Sequence, residues 1–516
     1  KHTHAQRDMR VCVHVQVLLV WLLVVAVAVV SGGESVRPCD PQFTQTVWWT
    51  QRVDHFSFQD GMRSFQQRSL VLDCRGPHNQ QEAPLLFFAG NEGEVTMYLQ
   101  NAGFIVQVAE KVQGLLIFVE HRYYGQSMPL GPDSWQTEKL KFLTAEQAMA
   151  DFAELIQPIQ QKYGLSRDRS ATIVFGESYG GMLAAYLRFQ YPSVFDGAIS
   201  SSAPLWMFQG MAPPQALYEI ITNDFADAHE TCPSLFRITF SSVETLGREV
   251  SGREILESAF QVCPGQVKDE ESALLLRQFL KMATYNLAAF NYPYPTNFEA
   301  PLPAWPVQVA CQTMLTANPE SQASLLQAAS KVLQMWYQLG NSSCLDLGQE
   351  FSPFPGVEPG AWHYQRCTEI ILPLGSSGIK DMYFHDPWDE AAFLSSCRSR
   401  FPGIVPRPRW GGLQFWGFEI SSASNIVFTS GTFDPWAAGG VDASRGPLPV
   451  SVEAVWIERG AHHLDFRSPD SRDPPSVAIA RQKVGCTLLL SIFFVQRRAH
   501  TTPMRPHGAL FTSSFH

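Results

Sequence analysis

At 516 residues the chain is long enough for two or three domains and a large buried core. Hydrophobic residues make up 45% and charged residues 17%, which excludes a disordered chain or a coiled coil. The formal net charge of −10 and the lack of any basic run interleaved with aromatics argue against a nucleic-acid partner.

Near the N-terminus, Arg7 and Arg10 bracket Met9 and lead into an unbroken apolar run over residues 17–30, followed by Ser31, Gly32 and Gly33. A charged start, a short apolar stretch and small residues at its end describe a secretory signal peptide, placed at 1–32. The run is short for a bilayer span of about 20 residues. Entry into the secretory pathway is expected, with no stable membrane span after cleavage; an uncleaved anchor is the alternative. That route permits disulfides. Of the ten cysteines, Cys12 lies in the signal, and none of the others forms the close pairs or Cys/His clusters of a zinc site. They read as structural, and no metal is expected. Asn341 opens an Asn-Ser-Ser glycosylation sequon, consistent with the same route.

Opening strands are expected within residues 45–75, where apolar positions alternate around Arg52-Val53-Asp54-His55-Phe56. Residues 84–89 and 115–119 are compact apolar runs of strand length. The first ends in Gly90-Asn91-Glu92-Gly93-Glu94 and the second in Glu120-His121-Arg122-Tyr123-Tyr124-Gly125. Thr144 and Gln147 have capping-box spacing, Ala148, Phe152, Leu155, Ile156 and Ile159 share a helical face, and Gly164 supplies the stop. Strands follow at 171–175 and 197–201, an alternation that predicts a parallel sheet with right-handed crossovers. From 206 to 405 the pattern changes to helical periodicities, Pro-rich loops and six cysteines. Strand character returns at 425–429 and 452–457. The expected organisation is an α/β domain in two parts, 45–205 and 406–483, with a helical cap insertion at 206–405 and a tail at 484–516.

The chemistry-bearing stretch lies at residues 173–182, an apolar strand running through Gly176-Glu177-Ser178-Tyr179-Gly180 into an Ala- and Leu-rich helix. Gly-x-Ser-x-Gly between a strand and a helix is the setting of a nucleophile elbow, in which a sharp turn pushes the serine hydroxyl out of the sheet. Each late strand also ends in a candidate: Asp434, just past residues 425–429, and His462-His463, just past 452–457. Taken alone, an Asp-Pro after a strand is ordinarily a turn, and a His pair in a Gly-rich loop is ordinarily structural. In the order Ser, Asp, His, each at a strand end, they point to an α/β-hydrolase. Serine is a poor nucleophile until an imidazole takes its proton, and a buried carboxylate fixes the tautomer of that imidazole. Spacing does not choose between His462 and His463. The oxyanion hole is expected at the backbone N–H of Tyr179 and a second one near Asn91.

Several of these segments carry a resemblance, together with Asn291-Tyr292-Pro293-Tyr294-Pro295, Cys367-Thr368-Glu369 and Gly460-Ala461-His462-His463-Leu464-Asp465. Over about residues 45–483 the chain resembles the family of the prolyl carboxypeptidases and dipeptidyl peptidase II. The resemblance implies an α/β-hydrolase fold with a disulfide-linked helical cap, and a serine exopeptidase that cleaves short peptides next to proline without a cofactor. It also implies an acidic compartment and, as is usual in the family, a homodimer; the expected destination is the lysosome or the extracellular space. It places the triad on Ser178, Asp434 and His462, and pairs Cys232 with Cys311, Cys263 with Cys344 and Cys367 with Cys397. An apolar slot for proline is sought at Met182 and Trp436, against reading both as core.

Departures and alternatives remain. The family usually has Gly-Gly-Ser at the elbow, whereas Glu177 stands here. A protonated Glu177 is a candidate to hold a substrate carboxylate, against an outward-pointing tolerated side chain. Arg467 is a second candidate for a carboxylate, against a solvated surface arginine. The tail beyond 483 diverges from the amphipathic helix that closes the family, and its apolar run at 487–495 is short for a span. Pro301-Leu302-Pro303 and Asp381-Met382-Tyr383 sit closer to the carboxypeptidases; Phe415-Trp416-Gly417 leans towards dipeptidyl peptidase II. A carboxypeptidase must bind a free C-terminal carboxylate. A dipeptidyl peptidase must bind a free amine, for which Glu92 or Glu94 is the candidate. A non-catalytic binding protein on the same fold is the third reading.

Overall fold

The computed structural model describes residues 39–58, 63–77, 80–338, 344–348, 359–417 and 419–501. The expected signal peptide, Cys12 and the Asn341 sequon lie outside these residues.

The core is an eight-stranded sheet ordered β1-β2-β4-β3-β5-β6-β7-β8. Its strands are β1 (Gln45–Arg52), β2 (Ser64–Asp73), β3 (Leu85–Ala89), β4 (Leu115–Val119), β5 (Thr172–Glu177), β6 (Gly197–Ser201), β7 (Ile426–Gly431) and β8 (Val452–Ile457). β2 pairs antiparallel with both β1 and β4, while every pair from β4 to β8 is parallel. Strands β3, β4, β5 and β6 are buried along their whole length, and β3 and β4 are the unbroken apolar runs that a covered parallel sheet favours. β1, at the edge, leaves alternate residues in water. This is the α/β-hydrolase fold that the sequence predicts.

Helices α1 (Val95–Asn101) and α2 (Gly103–Lys111) link β3 to β4, and α3 (Ala145–Tyr163) leads to β5. The Thr144 hydroxyl caps α3 by accepting from the Gln147 N–H at 3.2 Å, and Gly164 ends it with φ +65°. Only half of the expected capping box forms. The Gln147 side chain turns instead to the opening segment, donating to Asp54 at 2.6 Å and accepting from the His55 N–H at 2.9 Å. Helix α4 (Ser178–Gln190) follows β5 directly and packs on β5 and β6.

Between β6 and β7 the described residues add no strand to the sheet. They form α5 (Ala216–Ala228), α6 (Cys232–Gly247), α7 (Val250–Phe260), α8 (Glu270–Ala289), α9 (Pro306–Leu315) and α10 (Gln322–Trp336), then α11 (Pro359–Thr368), α12 (Glu390–Arg400) and α13 (Trp410–Gln414). Disulfide Cys232–Cys311 ties α6 to α9, Cys263–Cys344 ties the end of α7 to the segment before α11, and Cys367–Cys397 ties α11 to α12. These are the pairs the resemblance implies. A further bond, Cys39–Cys74, joins the opening residues to the end of β2 and was not paired from the sequence.

The last described element is α14 (Pro475–Thr501), which crosses the expected boundary at 483. The apolar run at 487–495 is therefore part of a longer helix. Its segment Pro475–Arg497 is long and apolar enough to cross a membrane by length and composition. One face argues otherwise: Val477, Ala480, Val484, Leu488 and Ile492, three or four residues apart, are buried, and the helix contacts β6, β7 and β8.

Candidate active site

The turn from β5 into α4 leaves no room for side chains beyond those present. A Cβ on Gly176 would lie 1.9 Å from the Gly180 carbonyl oxygen, and one on Gly180 would lie 1.6 Å from Asn91 Oδ1. Ser178 itself has φ +56°, a left-handed conformation that a non-glycine residue holds only under constraint from its surroundings. The side chain at the apex is thus aimed by the backbone.

His462 Nε2 stands 3.1 Å from Ser178 Oγ, and His462 Nδ1 stands 2.8 Å from Asp434 Oδ1. Asp434 is fully buried at the mouth of β7, and its Oδ1 also accepts from the Trp436 backbone N–H at 3.0 Å. The helical insertion holds the backbone of His462. The His462 N–H donates to the Ala289 carbonyl at the end of α8, and the Tyr292 hydroxyl donates to the His462 carbonyl, both at 2.9 Å. His463 points elsewhere. With φ +41° it turns its ring against Phe290 and Phe298, and burial pushes its pKa well below the usual histidine value. Of the two histidines, His462 is the one placed between Ser178 and Asp434.

Tyr179 is in the first turn of α4, where backbone N–H groups have no partner within the helix. Asn91 follows β3 and presses on Gly180, so its loop borders the same turn. The Tyr179 ring is buried against Trp362 of α11 at 5.4 Å between centroids, and its hydroxyl accepts from Gln365 Nε2 at 2.8 Å. Gln365 also donates to Glu369 Oε1 at 3.0 Å and accepts from the Tyr124 hydroxyl at 2.6 Å. This polar bridge between α11 and the elbow had no signal in the sequence.

The remaining candidates scatter. Glu177 does not point outward: it is fully buried, and Arg467 Nη2 meets its Oε2 at 2.5 Å. Burial pushes the Glu177 carboxyl up, against the pull of Arg467. Arg467 is no solvated surface residue either, being 4% exposed and stacked over Phe298 at 4.5 Å. The two form one buried pair under the elbow. Glu94 is tied to Arg68 at 2.7 Å, which holds its carboxyl below the usual range. Glu92 is buried, its Oε2 has no hydrogen-bond partner, and burial raises its pKa to about 7 within the field of His462. Met182 is buried inside α4, whereas Trp436 is half-buried and donates its indole N–H to the Tyr285 hydroxyl of α8 at 2.7 Å.

Residues 51–484 match the family described as serine carboxypeptidase S28. Lysosomal Pro-X carboxypeptidase of Mus musculus is 38% identical over 453 residues, covering 87% of this chain and 90% of that protein. The Homo sapiens protein of the same name is 37% identical over 437 residues, covering 84% and 86%. The thymus-specific serine protease of Mus musculus is 26% identical over 453 residues, covering 85% of each chain.

Proposed function

This chain belongs to the serine carboxypeptidase S28 family, and we propose that it is a Pro-X carboxypeptidase releasing the C-terminal residue that follows proline in short peptides. The reading rests chiefly on the hydrogen-bonded row from Asp434 through His462 to Ser178, and on relatives of that name matching most of the chain. Ser178 Oγ attacks the proline carbonyl carbon as His462 Nε2 takes its proton. The tetrahedral oxyanion is received by the Tyr179 N–H and one beside Asn91. Collapse breaks the peptide bond, His462 protonates the departing amine, and a prolyl ester remains on Ser178. Water, deprotonated by His462, then releases the shortened peptide. Asp434 orients the ring and offsets its positive charge. Trp436, half-buried beside Asp434, offers an apolar wall for proline. The helices between β6 and β7 act as the cap, the protein works in the lysosome or outside the cell, and it assembles as a homodimer.

A second reading, release of an N-terminal dipeptide, is favoured by Glu92, whose unpartnered Oε2 offers an acceptor for an ammonium group near His462. Turnover at pH 5 of two substrates separates them: an N-blocked Xaa-Pro-Phe acid and a free-amine Lys-Pro dipeptide with a fluorogenic leaving group. Release of phenylalanine alone is expected. Release of the fluorophore alone would establish the dipeptidyl reading. Failure of both, with no fluorophosphonate adduct on Ser178, would leave a binding protein.

A further inference from the structure

A guanidinium taken out of bulk water is ordinarily matched by an acid or by carbonyl oxygens, because an unmatched buried charge is strongly destabilising. This molecule follows that rule in its core. Arg122 meets both oxygens of Asp151 at 2.6 and 2.7 Å. Arg467 meets Glu177, and Arg481 meets Asp473 together with three backbone carbonyls.

Arg366, near the end of α11, breaks the rule. It is partly buried rather than solvated like a surface arginine, and among the described residues no carboxylate comes within ion-pair range of it. The titratable groups within electrostatic reach are the phenols of Tyr218 on α5 and Tyr285 on α8, and its guanidinium carbon stands 5.9 Å from the ring centroid of Phe393 on α12. None of these carries a negative charge at neutral or acidic pH, whereas a guanidinium stays charged throughout that range. Side chains of three cap helices thus lie near a cation that has no counter-ion among the described residues.

The place of Arg366 is fixed from both ends of the Ser–His–Asp row. Trp362, one helical turn earlier on the same face, packs on Tyr179, and the neighbouring Gln365 bonds the Tyr179 hydroxyl; Tyr179 follows Ser178. At the other end, Tyr285 takes the indole N–H of Trp436, whose backbone N–H donates to Asp434. We propose that Arg366 is a specificity-determining residue that receives the C-terminal carboxylate of the peptide, on the leaving-group side of the scissile bond. This rests on the carboxypeptidase reading and supplies the anion receptor that such an enzyme requires. A planar guanidinium suits a carboxylate geometrically, and its shielding strengthens the charge-assisted bonds.

The test compares full-length wild-type protein with Arg366→Gln and Arg366→Lys on three N-blocked peptides. These are Ala-Pro-Phe as the free acid, the same peptide as its C-terminal amide, and Ala-Pro-Asp amide, which carries only a side-chain carboxylate. One readout is KM and kcat; the other is protection of Ser178 against a fluorophosphonate. Arg366→Gln is expected to label at the wild-type rate without peptide, and to lose roughly tenfold or more in KM and in protection for the free acid alone, kcat changing little. Lysine should restore part of the loss. An unchanged preference for acid over amide in Arg366→Gln overturns the proposal, as does dependence on Arg366 confined to the Asp-amide peptide. Wild-type protein itself guards against a variant that fails to fold: equal protection by acid and amide refutes the anion receptor. If wild-type protein releases no phenylalanine yet is protected better by acid than by amide, the carboxypeptidase reading fails while the receptor stands.

Discussion

Two adjacent histidines show how much one backbone angle decides. His462 has one ring nitrogen on Ser178 and the other on Asp434, while His463, turned by its positive φ, is held neutral among aromatic rings. His462→Gln is expected to lower kcat by a factor of about 10⁴ or more in a folded protein, and Asp434→Asn by about 10⁴. His463→Gln should change kcat by less than about tenfold, its effect appearing in thermal stability instead. Steady-state kinetics beside melting curves separate the two. Glu177 and Arg467 make a second residue-scale case. Glu177→Gln leaves Arg467 buried without its partner and should lower stability by roughly 3 kcal/mol in urea titration. Removing both, as Glu177→Gln with Arg467→Met, should recover part of that loss. The acidic limb of the kcat/KM profile is expected to stay where it is, because Glu177 serves Arg467 rather than the substrate.

Elements explain why the site holds its shape. His462 is fastened by α8, whose last carbonyl takes its backbone N–H, and the turn at Ser178 is fastened by α11 through Gln365 and Trp362, which hold Tyr179. Helix α14 packs on β6, β7 and β8, of which β7 leads to Asp434 and β8 to His462. Leu488 is 2% exposed and Phe494 is 58% exposed on the same helix. Leu488→Ala should therefore lower stability by about 2–5 kcal/mol, and Phe494→Ala should change it by no more than about 0.5 kcal/mol. Equilibrium urea titration with intrinsic fluorescence measures both. A similar effect at the two positions would mean that the helix does not dock by the face described.

At the scale of the whole molecule, buried carboxyls set the pH window of stability. Burial raises Glu369 from 4.5 to about 8, with the nearby Glu146 adding to it, and raises Glu92 to about 7. A raised carboxyl adds stability that is fully present below about 4.5 and lost as pH climbs through 7 and 8, because the folded chain must then bury a charge. His121 works in the opposite sense. Burial lowers it from 6.5 to about 4, so its contribution is present above 6.5 and lost as pH falls through 4. Urea midpoints are expected to decline from mildly acidic pH towards pH 8. Glu369→Gln should flatten that decline by an amount on the order of a few kcal/mol. An acidic working compartment suits such a molecule.

What could be read from the sequence was whatever repeats with a local period or is forced by a local turn. The stretches at 115–119, 197–201 and 452–457 are strands with those bounds; the first is a continuous apolar run, as a strand covered on both faces can be. Gly176 and Gly180 mark the elbow because no Cβ fits there. The order Ser178, Asp434, His462 follows from which strands end where. Contacts between elements distant in sequence were not legible. Gln147 spacing suggested a capping box, yet its side chain serves Asp54 and His55 across the sheet edge. Glu177 and Arg467 looked like independent surface or substrate groups until the fold brought them, 290 residues apart, into one buried pair. Arg366 carried no pattern at all, since the lack of a partner is a property of everything around a side chain. Periodicity and turn chemistry fix elements; which charges are matched, and which are left waiting, is decided only when the elements pack.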